Sequence, residues 1–175
     1  MRPYLLFVSG VAGMAGLADG PQRGMGTTAL VFLIFFLSYG FSQGLTDSFQ
    51  MDTDAISSPY RPLIRGIISR GQVLFVSLAG LLAGCAAMFI LNPKTLFLAL
   101  AAVLGLLTYT YFKRRWWAGP FYNAWIITLL PVIGKIVAIG RESSIFSIFQ
   151  RGMLLAIVVS VFFSYANFVL MGYYK

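Results

Sequence analysis

Apolar runs of helical length alternate along this chain with short polar breaks, a pattern that predicts a series of membrane-crossing helices. The runs cover about 4–18, 28–47, 73–91, 95–112, 118–139 and 152–172, with breaks at Asp19-Gly20-Pro21, Asn92-Pro93-Lys94 and Gly140-Arg141-Glu142. A helix needs roughly 20 mostly apolar residues to cross about 30 Å of hydrocarbon, and the runs lack the strict alternation of barrel strands. The predicted fold is all-α, a polytopic transmembrane bundle forming one membrane domain over residues 1–175. The first run is short, and Met1-Arg2 followed by a stretch ending Ala15-Gly16-Leu17-Ala18 also fits a signal peptide with a small-residue cleavage site. No internal repeat, low-complexity tract or interdomain linker stands out.

Composition agrees. Hydrophobic residues make up 59% of the chain and charged residues 10%, and the mean hydropathy is +0.83, leaving too little polar surface for a soluble globule of this length. The thirteen basic residues set the orientation. With the amino terminus in the cytoplasm, Arg2, Arg61, Arg65, Arg70, Lys113, Arg114, Arg115 and Lys175 lie inside, and Arg23, Lys94, Lys135, Arg141 and Arg151 outside. The positive-inside rule favours that arrangement. The expected location is a bacterial inner membrane, with the functional site on the cytoplasmic side. The net charge of +8 calls for no nucleic acid, since membrane lipid headgroups or an anionic substrate account for it. One cysteine, Cys85, excludes an intrachain disulfide, and the absence of histidine excludes a histidine-ligated metal or a histidine base.

Chemistry concentrates in one place. Three of the five acidic residues, Asp47, Asp52 and Asp54, fall within eight positions at the end of the second run, just before Pro59-Tyr60-Arg61-Pro62-Leu63. Carboxylates are costly beside a bilayer, so such a cluster marks a functional site. If the second helix continues through it, Asp47 and Asp54 lie within about 20° of one face, joined by Gln43 and Gln50. Their rise of about 10 Å is too long for one shared magnesium ion but suits a diphosphate bracketed with its metals. Asp52 points away, toward water or a basic loop residue. The plain alternative is that the acids end a helix at the interface and pair with Arg61, Arg65 or Arg70.

The stretch from Thr46-Asp47 through Gln50, Asp52, Asp54 and Arg61-Pro62, followed by Gly66 and Ser69, resembles the first aspartate-rich motif of the UbiA superfamily of intramembrane prenyltransferases. That motif commonly reads Asn-Asp-x-x-Asp-x-Glu-x-Asp before an Arg-Pro pair. Here Thr46 replaces the asparagine and Gln50 the middle aspartate. Arg2-Pro3 and the Thr108-to-Arg115 segment resemble two further features of the family. The resemblance implies magnesium-dependent transfer of a prenyl group from an allylic diphosphate donor to a hydrophobic or aromatic acceptor within the membrane. It implies Asp47, Gln50 and Asp54 as metal ligands, with Asp47 and Asp54 catalytic. Arg61, Arg65 and Lys113 would hold the diphosphate, with Asp52, Gln43 and Tyr109 in secondary roles. Family members usually have about nine helices and a second aspartate-rich motif after the sixth. Gly172-Tyr173-Tyr174-Lys175 stands where that motif begins, so the expectation is an N-terminal portion with about six helices, inactive alone.

Other groups have plainer readings. Tyr60, Tyr109 and Tyr111 suit an aromatic belt better than cation stabilisation. Lys135, after Pro131 and Gly134, is expected to snorkel to water at the outer end of its helix. Two further functions fit intramembrane charge: a small ion or proton transporter using Lys135 and the carboxylates as a relay, and a noncatalytic assembly subunit. Neither calls for the Arg-Pro pair after the cluster.

Overall fold

The computed structural model describes residues 4–115, 118–141 and 162. Its helices are α1 (Tyr4–Ala18), α2 (Met25–Phe49), α3 (Met51–Ser57), α4 (Arg70–Leu91), α5 (Thr95–Lys113) and α6 (Ala118–Ile139). Apart from Phe162, the run expected at 152–172 lies outside the described residues. Among the described residues, α2, α4, α5 and Phe121–Ile139 of α6 are long and apolar enough to cross a membrane. α1 packs on α2 and α6, α2 on α4, α4 on α5, and α5 on α6. Five helices thus close a ring, and α2 and α5 also touch across it.

The core gathers Val31, Phe35, Leu45, Leu81, Cys85, Met88, Val103, Ile133 and Val137. Leu33, Leu37, Phe75, Phe97 and Leu104 are exposed, as suits helices whose solvent is lipid. Without a hydrophobic drive between helices in lipid, close approach of small residues does much of the packing. A methyl group at Gly16 would overlap the Pro131 carbonyl, and one at Gly134 the Gly13 carbonyl. The α1–α6 contact therefore runs backbone to backbone.

At the end of the bundle away from the aspartates, side chains close the carbonyl end of α6. Asn92 Nδ2 donates to Ile136 O at 2.8 Å and Gly140 O at 3.0 Å, and Arg23 Nε donates to Ala138 O at 3.0 Å. These bonds serve carbonyls that a helix end leaves without partners. Gly140, at φ 87°, takes the left-handed conformation that commonly ends a helix. Lys135 corrects an expectation. It is buried rather than snorkelling, and its ammonium is paired with Asp19 just past α1. Packing α1 against α6 removes this lysine from water, so a carboxylate takes water's place.

At the opposite end, α2 does not run through the acidic cluster. Gln50, at φ −114° and ψ 20°, interrupts it, and α3 begins at Met51. Asp52 and Asp54 then fall in the first turn of α3, where carboxylates are favoured by the helix dipole. Gly66, at φ 69°, supplies the left-handed turn in the connection to α4. A capping box starts α4: Gln72 N donates to Ser69 Oγ at 3.2 Å, and Ser69 N donates to Gln72 Oε1 at 3.0 Å.

Candidate active site

The helix break at Gln50 changes the geometry of the aspartates. Arg61 Nη1 lies 3.0 Å from Asp47 Oδ1 and 2.6 Å from Asp54 Oδ2. The two carboxylates therefore converge on a single cationic nitrogen, instead of standing the ~10 Å apart that an unbroken helix would impose. Asp54 is buried, and Asp47 and Arg61 are partly so. One guanidinium between two such carboxylates offsets their mutual repulsion.

Asp47 is held from behind by a line of side chains on α2. Tyr39 Oη donates to Gln43 Oε1 at 3.0 Å, and Gln43 Nε2 donates to Asp47 Oδ1 at 3.0 Å. Positions 39, 43 and 47 are four apart and share a helix face. Tyr39 is the member that reading the sequence missed, although its four-residue spacing from Gln43 was visible.

The other expected site residues are placed as follows. Gln50 Oε1 accepts from Lys113 Nζ at 2.9 Å, so these two candidates meet each other. Asp52 Oδ2 pairs with Arg114 Nη2 at 2.8 Å. These two contacts tie the break and α3 to the end of α5. Tyr109 lies beneath Lys113, whose Nζ is 5.9 Å from the ring centroid. Arg65 is exposed, and its backbone N–H bonds to Arg61 O at 3.0 Å, but no described contact joins its side chain to the aspartates.

No cluster of three histidine, cysteine or acidic ligands occurs among the described residues. The test of fit for a divalent cation therefore rests on Asp47 and Asp54. They pass it in kind: two hard oxygen donors already converge on one positive centre, here Arg61, and magnesium commonly takes only one or two protein carboxylates. Gln50 is directed to Lys113.

A helical ring of this kind, with four helices long and apolar enough to cross a membrane, defines a polytopic integral membrane protein. A model of the UbiA prenyltransferase family matches residues 6–174. The chain belongs to that family. It is similar to the digeranylgeranylglyceryl phosphate synthases of Thermococcus kodakarensis, with 30% identity over 78% of this chain and 45% of the relative, and of Thermococcus sibiricus, with 30% identity over 81% and 51%. The chain thus spans about half the length of these curated relatives. A solved structure from work on the biosynthesis of digeranylgeranylglyceryl phosphate synthase in membranes shares the fold. Its TM-score is 0.75 at 18% identity, covering 91% of this chain and 57% of that one. The relatives named here are archaeal and give the expected bacterial membrane no support.

Proposed function

We propose that this chain supplies the diphosphate-binding aspartate site of a prenyltransferase that joins a prenyl group to a glycerophosphate-type lipid. The observation that carries the reading is the convergence of Asp47 and Asp54 on Arg61. The family match supports the reaction class. The relatives' name describes a glyceryl phosphate bearing two geranylgeranyl groups, which favours a glycerophosphate-type lipid acceptor over an aromatic one. The clustered basic residues at this end support a cytoplasmic site.

In the proposed reaction, the bond from the allylic carbon to the diphosphate oxygen breaks and its electron pair leaves with the diphosphate. An acceptor hydroxyl oxygen forms the new bond, and its proton passes to the departing diphosphate. A divalent cation held by Asp47 and Asp54, magnesium by the hardness of the donors, would neutralise charge on the leaving group. The protein's part is electrostatic and positional. Arg61 is placed to turn from the aspartates to the phosphate oxygens, which its planar fork suits. The Tyr39–Gln43 line keeps Asp47 aimed as that exchange occurs. Lys113 stands on the same membrane face, tied through Gln50 to the break between α2 and α3, and adds positive charge for the anionic donor.

The test is binding of geranylgeranyl diphosphate to the purified chain with and without magnesium. Asp54→Asn should weaken magnesium-dependent binding by about tenfold or more, equivalent to at least about 1.4 kcal/mol. Equal affinity of the variant and the original chain would sink the assignment. Magnesium-independent ion flux in vesicles, in place of diphosphate binding, would favour the transporter reading.

A further inference from the structure

A second site lies at the same membrane face but on another side of α2. Leu107, Thr110, Tyr111 and Arg114 form one face at the end of α5, and with Phe49 they line a cavity of about 250 Å³. Phe49 and Asp47 are about 160° apart around α2, so Phe49 stands on the opposite side of that helix from Asp47. Thr110 is buried, and among the described residues its Oγ1 has no hydrogen-bond partner. A hydroxyl shut away from both water and protein partners is costly, which makes an external partner the natural explanation.

The surroundings specify that partner's chemistry. Arg114 gives Nη2 to Asp52, but a guanidinium carries five N–H donors. Arg70 lies with its guanidinium carbon 5.6 Å from the Phe49 ring centroid, adding positive charge behind that wall. Phe49, Leu107 and the Tyr111 ring supply apolar surface beside these cations. A cavity of this size is smaller than the ~300–1,000 Å³ typical of pockets enclosing drug-sized ligands. It therefore suits a head group rather than a long prenyl chain.

We propose that Thr110 and Arg114 form a subsite for the phosphate head group of an alkyl or prenyl amphiphile whose chain extends into the membrane. The Thr110 hydroxyl donates one hydrogen bond and the Arg114 guanidinium supplies charge, while the aromatic walls hold the first carbons. The same chemistry is offered by a phosphate monoester, such as a phosphorylated acceptor, and by the diester of a bulk anionic lipid. The site stands whether or not the aspartate pair binds a diphosphate.

The experiment uses the chain in a maltoside detergent, which carries no phosphate, with dodecyl phosphate and phosphatidylglycerol as separate probes. Thermal melting and direct binding are both read. Thr110→Val keeps the shape and removes a hydroxyl that has no partner, so without probe it should melt no lower than the original chain. It should bind the cognate probe about tenfold more weakly, as should Arg114→Gln, whereas Thr110→Ser should retain binding. Loss confined to dodecyl phosphate identifies a monoester ligand, and loss with phosphatidylglycerol identifies bulk lipid. Unchanged binding of both probes to Thr110→Val and Arg114→Gln would overturn the proposal.

Discussion

Arg61→Gln tests how the aspartate pair is held together. Arg61 Nη1 contacts Asp47 Oδ1 at 3.0 Å and Asp54 Oδ2 at 2.6 Å. At an effective dielectric of about 20, a unit charge about 3 Å from another gains roughly 5 kcal/mol before desolvation is counted. Partial exposure and desolvation reduce the net cost of removing the guanidinium to about 2–3 kcal/mol. In a chain of this size that lowers the melting temperature by roughly 4–12 °C. Magnesium should reverse much of the loss, because a ligand at a hundredfold excess over its dissociation constant adds about 2.7 kcal/mol. The original chain should gain less, since Arg61 already neutralises the pair and must be displaced. The assay is a melting curve in detergent with and without magnesium, for both proteins. If Arg61→Gln melts with the original chain, or magnesium shifts both equally, the idea that Arg61 occupies the cation position is refuted.

Two further predictions concern the far end and the packing of α1. Asp19→Asn leaves the buried Lys135 ammonium uncompensated, whereas Lys135→Met replaces it by an apolar chain of similar length. Melting should fall by the equivalent of about 3 kcal/mol for the first and by less than about 1 kcal/mol for the second, and the reverse order would contradict the pairing. Gly134→Ala puts a methyl group onto the Gly13 carbonyl. It should cost about 1–3 kcal/mol by pushing α1 from α6, and an unchanged melting temperature would show that the two backbones are not in contact.

Much of this architecture was visible in the sequence because lipid imposes a coarse rule. Runs long enough to span hydrocarbon must be helical, and four predicted runs correspond to helices of spanning length here, with a fifth forming the shorter α1. The acidic cluster was visible because carboxylates are rare in such a chain, but the partner of Asp52, Arg114, was not singled out from the other basic residues. The break at Gln50 was not visible. No glycine or proline marks it, and Gln50 Oε1 is engaged by Lys113, sixty-three residues away. Local periodicity carries no trace of such a contact. The start of α4, by contrast, was legible and missed: Ser69 and Gln72 have capping-box spacing, and they place the helix start at Arg70 rather than Val73. Lys135 was misread because distance along its own helix was taken as distance to water. The end of α1 decides the matter by bringing Asp19 to it.

The two ends of the bundle divide stability and adaptability between them. At the far end, Asn92 and Arg23 bond to backbone carbonyls of α6, and a buried lysine has a fixed counterion. Such backbone-directed bonds cannot be exchanged without opening the helix end. At the aspartate end, the contacts run between side chains: Arg61 with two carboxylates, Lys113 with Gln50, and Arg114 with Asp52. Under the proposed function each of these cations would exchange a protein acceptor for a phosphate oxygen while the long helices stay in place. Binding sites that must rearrange are drawn from the less stable parts of a fold. The break at Gln50 would serve that need under the proposed function, since it separates α3, which carries Asp52 and Asp54, from the long helix α2, whose Val31 and Leu45 belong to the core.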